Sequence, residues 1–411
     1  MAGWTYLLHA DDPRRDDIIR ILRPLAEHRG MTDPAAPLLY GGEADWQRWL
    51  EDNYTSRGER RPHYILAVGG PRQIPFHLQS FLDVAGMVGR VEFEDLADLE
   101  AYVRKVVRLE QHDSPVASPT AVFFAPDSGQ DADGNRDPTY YSRRYMAAPL
   151  ARRAAAWGFA TRMIEGEEAS RDHLMEALGT GRPALVYTAS HGIAAIGQDL
   201  DTQQRMNGAI CCQRTGNETG HEWLFTGDDV PDDPDDPFLE GAVFFQFACF
   251  GYGTPAQSDF SHWDVGYPET TAPEDFVAAL PRSLLAHPRG PIAYIGHVDT
   301  AWLHGFDDPD DPGMPELLPG RWNHRLAPFE SALEVLLRVG QPPGMAMENL
   351  NLRYNVLNAQ LTRYLDQLER GALADSPELR VQLVQDFILR GDAQNYLVFG
   401  DPAVTLRISE S

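Results

Sequence analysis

The sequence predicts an α/β chain built on a mainly parallel sheet flanked by helices. Three observations carry that expectation. Short apolar runs alternate with helical stretches from about residue 120 to the C-terminus, the pattern of repeated strand–helix units. Two of these runs, 184–190 and 242–248, are rich in Val, Phe and Tyr, as strands buried on both faces are. A separate strand-and-helix set precedes them and ends at His112-Asp-Ser-Pro-Val-Ala-Ser-Pro119, a stretch with linker composition.

Residues 4–9 read as a strand. Residues 16–28 read as an amphipathic helix, with Ile18, Ile19, Ile21, Leu22 and Leu25 at helical spacing. A short helical piece is expected over 44–53, and a strand over 64–68, closed by Gly69-Gly70-Pro71. Residues 93–111 read as a helix with Asp95 as its cap. The composition of 112–119 divides the chain into an N-terminal α/β subdomain, 1–115, and a second domain, 116–411. The second begins with a strand over 120–125, a helix over 139–158, a strand over 159–164 and a helix over 170–179 capped by Ser170. After the two central runs come a helix over 273–286 and a strand over 292–295. Helices over 329–339, 345–369 and 378–389 then precede a last strand at 396–399.

Three cysteines in 411 residues exclude a disulfide scaffold and fit a reducing, cytoplasmic compartment. The first residues lack the basic and apolar regions of a signal peptide. No run approaches the apolar length of a membrane span. A net charge of −26 repels nucleic acid phosphates and anionic lipid, and attracts cationic polypeptides.

Each central run ends in a reactive residue: the first at His191-Gly192, the second at Cys249-Phe250-Gly251. In open α/β sheets function collects at the carboxyl ends of strands. A cysteine nucleophile must become a thiolate. A histidine serves as its base and later protonates the leaving amine. The oxyanion needs backbone N–H donors. The N–H groups of Gly192 and Cys249 are the candidates, with Gly192 allowing close approach because it has no Cβ.

The segment Phe247-Ala248-Cys249-Phe250-Gly251 resembles the caspase motif Q-A-C-[RQG]-G, whose histidine lies about 50 residues upstream. Here the separation, from 191 to 249, is 58 residues. The wider pattern is more similar to the gingipain-like and CHAT-type branches of the caspase-like peptidases. Tyr64-Ile-Leu-Ala-Val-Gly-Gly70, Ile74-Pro75-Phe76 and Val88-Gly89-Arg90 resemble the first half of a gingipain catalytic domain. Gly290-Pro-Ile-Ala-Tyr-Ile-Gly296 resembles the strand after the catalytic cysteine. Asn395-Tyr-Leu-Val-Phe-Gly-Asp-Pro402 resembles the closing Gly-Asp-Pro strand. The resemblance spans residues 60–410. It implies a caspase-like (caspase-hemoglobinase) fold and a cysteine endopeptidase with a His191–Cys249 dyad. A non-catalytic scaffold of the same fold is the alternative. Phe247 and Phe250 stand where caspases carry Gln and usually Arg, so aspartate specificity does not carry over.

The resemblance also makes 297–302 one wall of the peptide groove, pairing with substrate backbone. Asp299 would bind a substrate Arg or Lys, and Trp302 would wall a neighbouring pocket. Cleavage after Arg, then Lys, is therefore expected. The insert 197–240 carries Arg205 and Arg214, candidate sites for activation by self-cleavage or by a partner protease. Its Cys211-Cys212 pair and His221-Glu222 fit zinc spacing poorly. The acidic runs 232–237 and 307–312 read as solvated loops that could admit Ca²⁺. No resident metal or cofactor is expected. The expected partners are a protein or peptide substrate and an activating protease or regulatory protein.

Overall fold

The computed structural model describes residues 3–112, 116–131, 133–216, 218–261, 270–303 and 326–409. The strands in chain order are β1 (Trp4–His9), β2 (Leu38–Tyr40), β3 (Tyr64–Val68), β4 (Met87–Val91), β5 (Ser118–Pro126), β6 (Ala160–Gly166) and β7 (Pro183–Ala189). They continue as β8 (Ile210–Cys211), β9 (Leu224–Phe225), β10 (Val243–Phe247), β11 (Gly253–Thr254), β12 (Phe276–Val277), β13 (Ala293–His297) and β14 (Tyr396–Gly400). One 10-stranded sheet has the order β2-β1-β3-β4-β14-β13-β10-β7-β5-β6. Neighbours in it are parallel except β13 and β14.

Every residue of β7 and β10 is buried. Helices covering both faces leave these strands no wet side, which is why their sequences are nearly unbroken apolar runs. The helix Leu96–Gln111 buries Leu99, Tyr102, Val103 and Val106, a spacing that puts one face on the sheet. The Asp95 side chain accepts from Ala97 N–H and caps it.

The sheet runs unbroken across the expected division at 115 and 116, because the last strand pairs with β4. A β-carbon on Gly89 would lie 2.2 Å from the Gly400 carbonyl oxygen, so β4 tolerates only glycine there. The closing Gly-Asp-Pro stretch is tied to the N-terminal part. Asp401 accepts from the Trp4 indole at 2.9 Å and pairs with Arg29 at 2.6 Å, and Arg29 also holds Glu110 at 2.6 Å. Arg90 is fully buried and donates to Gln79, to the Gly69 carbonyl and to the Ile74 carbonyl, pinning the loop after β3.

Three helices depart from expectation. Residues 139–158 form Pro138–Ser142, a π turn over Arg143–Ala147, and Ala148–Ala156. Pro149 has no N–H to give the preceding turn, and a wider turn accommodates the gap. The helix expected over 273–286 starts only at Ala279, because Phe276–Val277 pairs with β11 as a strand. The helix expected over 329–339 is α-helical over Ala327–Leu333 and continues as a π turn over Glu334–Val339. No helix among the described residues is long and apolar enough to cross a membrane. The acidic run 232–237 is a loop, as expected, and its carbonyls at Asp233 and Asp235 accept from His287 and Arg289. The run 307–312 lies outside the described residues.

Candidate active site

The two reactive residues are brought together by strand register. β7 and β10 are adjacent and parallel, with Ala189 paired to Phe247. His191 and Cys249 each stand two residues beyond that pair, on neighbouring strands spaced by about 4.8 Å. Ser190 N–H still donates to the Phe247 carbonyl at 3.1 Å, holding the two strand ends together. Phe250 then takes φ 57°, a left-handed conformation that is costly for a residue with a side chain. Its N–H donates to the Asp299 carbonyl at 2.7 Å, which fixes the turn after Cys249.

Both residues line one cavity of about 290 Å³, together with Pro138, Phe247, Ala301 and Trp302. The Cys249 thiol is half-buried and lies 3.8 Å from the Ala301 carbonyl. Burial pushes the thiol up to about 11; the Ala301 contact draws it down, and the charges of Asp299 and Asp392 push it further up. The resting sulfur is therefore a thiol, and needs a base to become nucleophilic.

That base has a partner not anticipated from sequence. His191 Nε2 lies 2.9 and 3.1 Å from the two Asp137 carboxylate oxygens. Asp137 also accepts from Thr139 N–H at 2.8 Å and from the Thr139 hydroxyl at 2.6 Å. Burial alone would raise this carboxyl, but the bonds from His191 and Thr139 outweigh it and hold it at about 2. An ionised Asp137 keeps a proton on Nε2 and leaves the Nδ1 lone pair to act as base. A sequence signal existed: Asp137-Pro138 begins a helix, with aspartate as the cap and proline in the first turn.

The contact between the strand ends also requires glycine at 192. A β-carbon there would lie 1.9 Å from the Cys249 carbonyl oxygen. The close approach seen here is between the two strand ends. Among the described residues, the Gly192 N–H donates to no backbone carbonyl, and the Cys249 N–H faces its own thiol.

Asp299 is placed differently from expectation. It is 1% exposed. Its carboxylate accepts from the Ser258 hydroxyl at 2.9 Å, Asp259 N–H at 2.9 Å and Thr300 N–H at 2.8 Å. Burial pushes it up to about 6 against those bonds. It borders a different cavity, with Phe76, Pro255 and Asn395, and does not line the one that holds Cys249. A short acidic residue at a strand end has satisfied its own turn, here at φ 78°. Trp302 does line the Cys249 cavity. Its ring meets Phe260 edge-on at 5.4 Å, and its backbone N–H donates to the Asp392 carboxylate at 3.0 Å.

The insert between the two strand ends folds as a helix over Leu200–Met206 and the β8–β9 hairpin. It is docked on the site: Cys211 N–H donates to the His191 carbonyl, and Gln246 donates to the Gly208 carbonyl. Cys211 and Cys212 are buried, and burial pushes the Cys211 thiol up to about 12. Among the described residues no three His, Cys, Asp or Glu side chains are grouped to hold a metal.

The family model described as "Peptidase family C25" matches residues 45–407. The chain belongs to peptidase family C25. As a C25 member it is a cysteine peptidase. No curated protein sequence matches it. Its fold is similar to that of the Arg-specific cysteine proteinase gingipain R (RgpB), with a TM-score of 0.55 at 13% identity. That match covers 98% of this chain and 78% of the other. It is similar also to the complex of Porphyromonas gingivalis RgpB pro- and mature domains, with a TM-score of 0.53, 12% identity, and coverage of 98% and 79%. The C25 chain thus has the caspase-like fold that its sequence resemblance implied, a mainly parallel sheet flanked by helices.

Proposed function

We propose that this C25 peptidase is an endopeptidase in which Cys249 is the nucleophile and His191 the general base. The observation that carries the reading is the shared cavity, into which strand register delivers His191 and Cys249 together while Asp137 holds Nε2 of the imidazole. The scissile carbonyl enters beside Cys249. His191 Nδ1 takes the thiol proton as sulfur attacks the carbonyl carbon. The N–H groups of Gly192 and Cys249 donate to the developing oxyanion. The imidazolium, stabilised by Asp137, then protonates the leaving amine. Water, deprotonated by the same histidine, hydrolyses the thioester.

Substrate backbone pairs with residues 300–303, beyond the point where β13 is saturated by β10 and β14, and Trp302 walls the site. The net charge of −26 favours cationic polypeptides as substrates, by raising encounter rates rather than by choosing the bond. The expected Asp299 pocket does not support a preference for Arg or Lys. Three free cysteines support a reducing, cytoplasmic setting. Regulation by a protein segment or partner is supported by the RgpB pro-domain complex, and the exposed Arg214 loop offers a place for a partner protease to cut.

Cys249→Ala tests the reading. It removes one sulfur, so the circular dichroism spectrum and melting temperature should stay near those of the parent while peptide cleavage is abolished. Undiminished turnover in that variant would sink the assignment.

A further inference from the structure

We infer that the cavity beside Cys249 receives an apolar, uncharged side chain, that of the residue before the scissile bond, and that Phe247 sets its depth. The inference rests on the Cys249 reading proposed above. A volume of about 290 Å³ holds one large side chain. The lining is carbon-rich: Phe247, Ala248, Ala301, Trp302 and Leu303 all contribute.

The aromatic floor is fixed. Phe247 is 4% exposed, stacks on Tyr396 at 6.5 Å and meets Phe329 edge-on at 6.3 Å. Three hydroxyls on the wall are bonded to the protein. The Thr139 hydroxyl donates to Asp137, the Ser142 hydroxyl to the Thr139 carbonyl, and the Ser190 hydroxyl to the His191 carbonyl. Asp137, on the same side, is taken up by His191 and Thr139. None of the described lining residues carries a carboxylate.

A guanidinium or ammonium entering this cavity would shed water without meeting a carboxylate among the described lining residues, which is strongly unfavourable. A Leu or Phe side chain would gain by leaving water for aromatic and aliphatic walls. The overall negative charge does not reverse this. Charges spread over the surface raise the encounter rate with cationic chains, whereas the choice of bond is set by contacts at the reacting centre. A cationic polypeptide is therefore bound broadly and cut after an apolar residue.

Fluorogenic peptides that differ only in the residue before the bond, carrying Leu, Phe, Arg, Lys or Asp, test this on the unmodified protein. The expected result is a kcat/KM for Leu or Phe about tenfold or more above that for Arg, within the range pocket contacts achieve. Phe247→Leu and Phe247→Ala should shift the preference toward larger aromatic residues. A best substrate with Arg or Lys would overturn the inference, whether or not the Phe247 variants fold. A Leu-bearing peptide electrophile, with the labelled residue read by mass spectrometry, separates the two readings. Modification of Cys249 with Arg preferred overturns the specificity alone. No cleavage of any peptide and no modification of Cys249 overturns the nucleophile assignment, and the specificity with it.

Discussion

Gly192 and Cys249 are in backbone contact: a β-carbon on the glycine would sit 1.9 Å from the cysteine's carbonyl oxygen. The contact couples the histidine strand end to the cysteine strand end without any side chain. Gly192→Ala must push the two apart, and both proposed oxyanion donors move with them. We expect kcat/KM to fall by about 10²-fold or more, the scale of losing an oxyanion donor. Steady-state kinetics on a variant whose melting temperature has dropped by only a few degrees would check it. Near-parental activity would mean that the oxyanion is held elsewhere.

His191→Ala should lower turnover by about 10²–10⁴-fold, the usual contribution of general acid–base catalysis. Asp137→Asn should lower kcat with little change in KM, because it acts on the imidazole and not on the peptide. An unchanged kcat in Asp137→Asn would assign Asp137 to capping its helix alone.

The same carboxyl gives a pH signature. Its pKa in the folded chain is held at about 2, below the ordinary 3.8. A depressed carboxyl stabilises the fold above its unfolded pKa, and that stability is lost as pH falls from about 4 toward 2. The melting temperature of the parent should decline across that window more steeply than that of Asp137→Asn. Parallel curves would show that the tie to His191 and Thr139 contributes nothing to folding.

Asp299→Ala should act on stability rather than on specificity. It leaves the Ser258 hydroxyl and the Asp259 and Thr300 N–H groups without their acceptor, and stranded buried donors cost roughly 1–3 kcal/mol each. Urea denaturation should show the loss, while the ranking of peptide substrates stays the same. A changed ranking with unchanged stability would restore Asp299 as a specificity residue.

Limited proteolysis addresses the insert. Arg205 lies on a helix and pairs with Asp228 at 2.9 Å, whereas Arg214 is exposed in a loop and lies over the Trp223 ring at 4.2 Å. A protease must bind an extended segment, so trypsin should cut first at Arg214. If the insert restrains the site, nicking there should raise peptide turnover. A first cut at Arg205 would mean that the helix unfolds more readily than the loop.

The sequence by itself determined eight of the ten strands of the large sheet, missing β2 and β4; the central ones are legible because burial on both faces leaves an unbroken apolar run that needs no partner to be recognised. It marked His191 and Cys249 for the same reason, as polar residues where such runs stop. It did not determine which strands are neighbours. The adjacency of β7 and β10, and the register that pairs Ala189 with Phe247, are set by contacts between segments far apart in the chain. Local pattern carries no record of those contacts. The same holds for β14, which closes the sheet between β4 and β13. Side-chain direction was also invisible. Asp299 and Asp137 are both carboxylates beside a chain turn, but tertiary packing buried one under Ser258 and turned the other onto the imidazole. A charge pattern shows that acids are present; only the folded chain decides which of them meets a base, because hydrogen-bond geometry depends on fractions of an ångström that residue spacing does not encode.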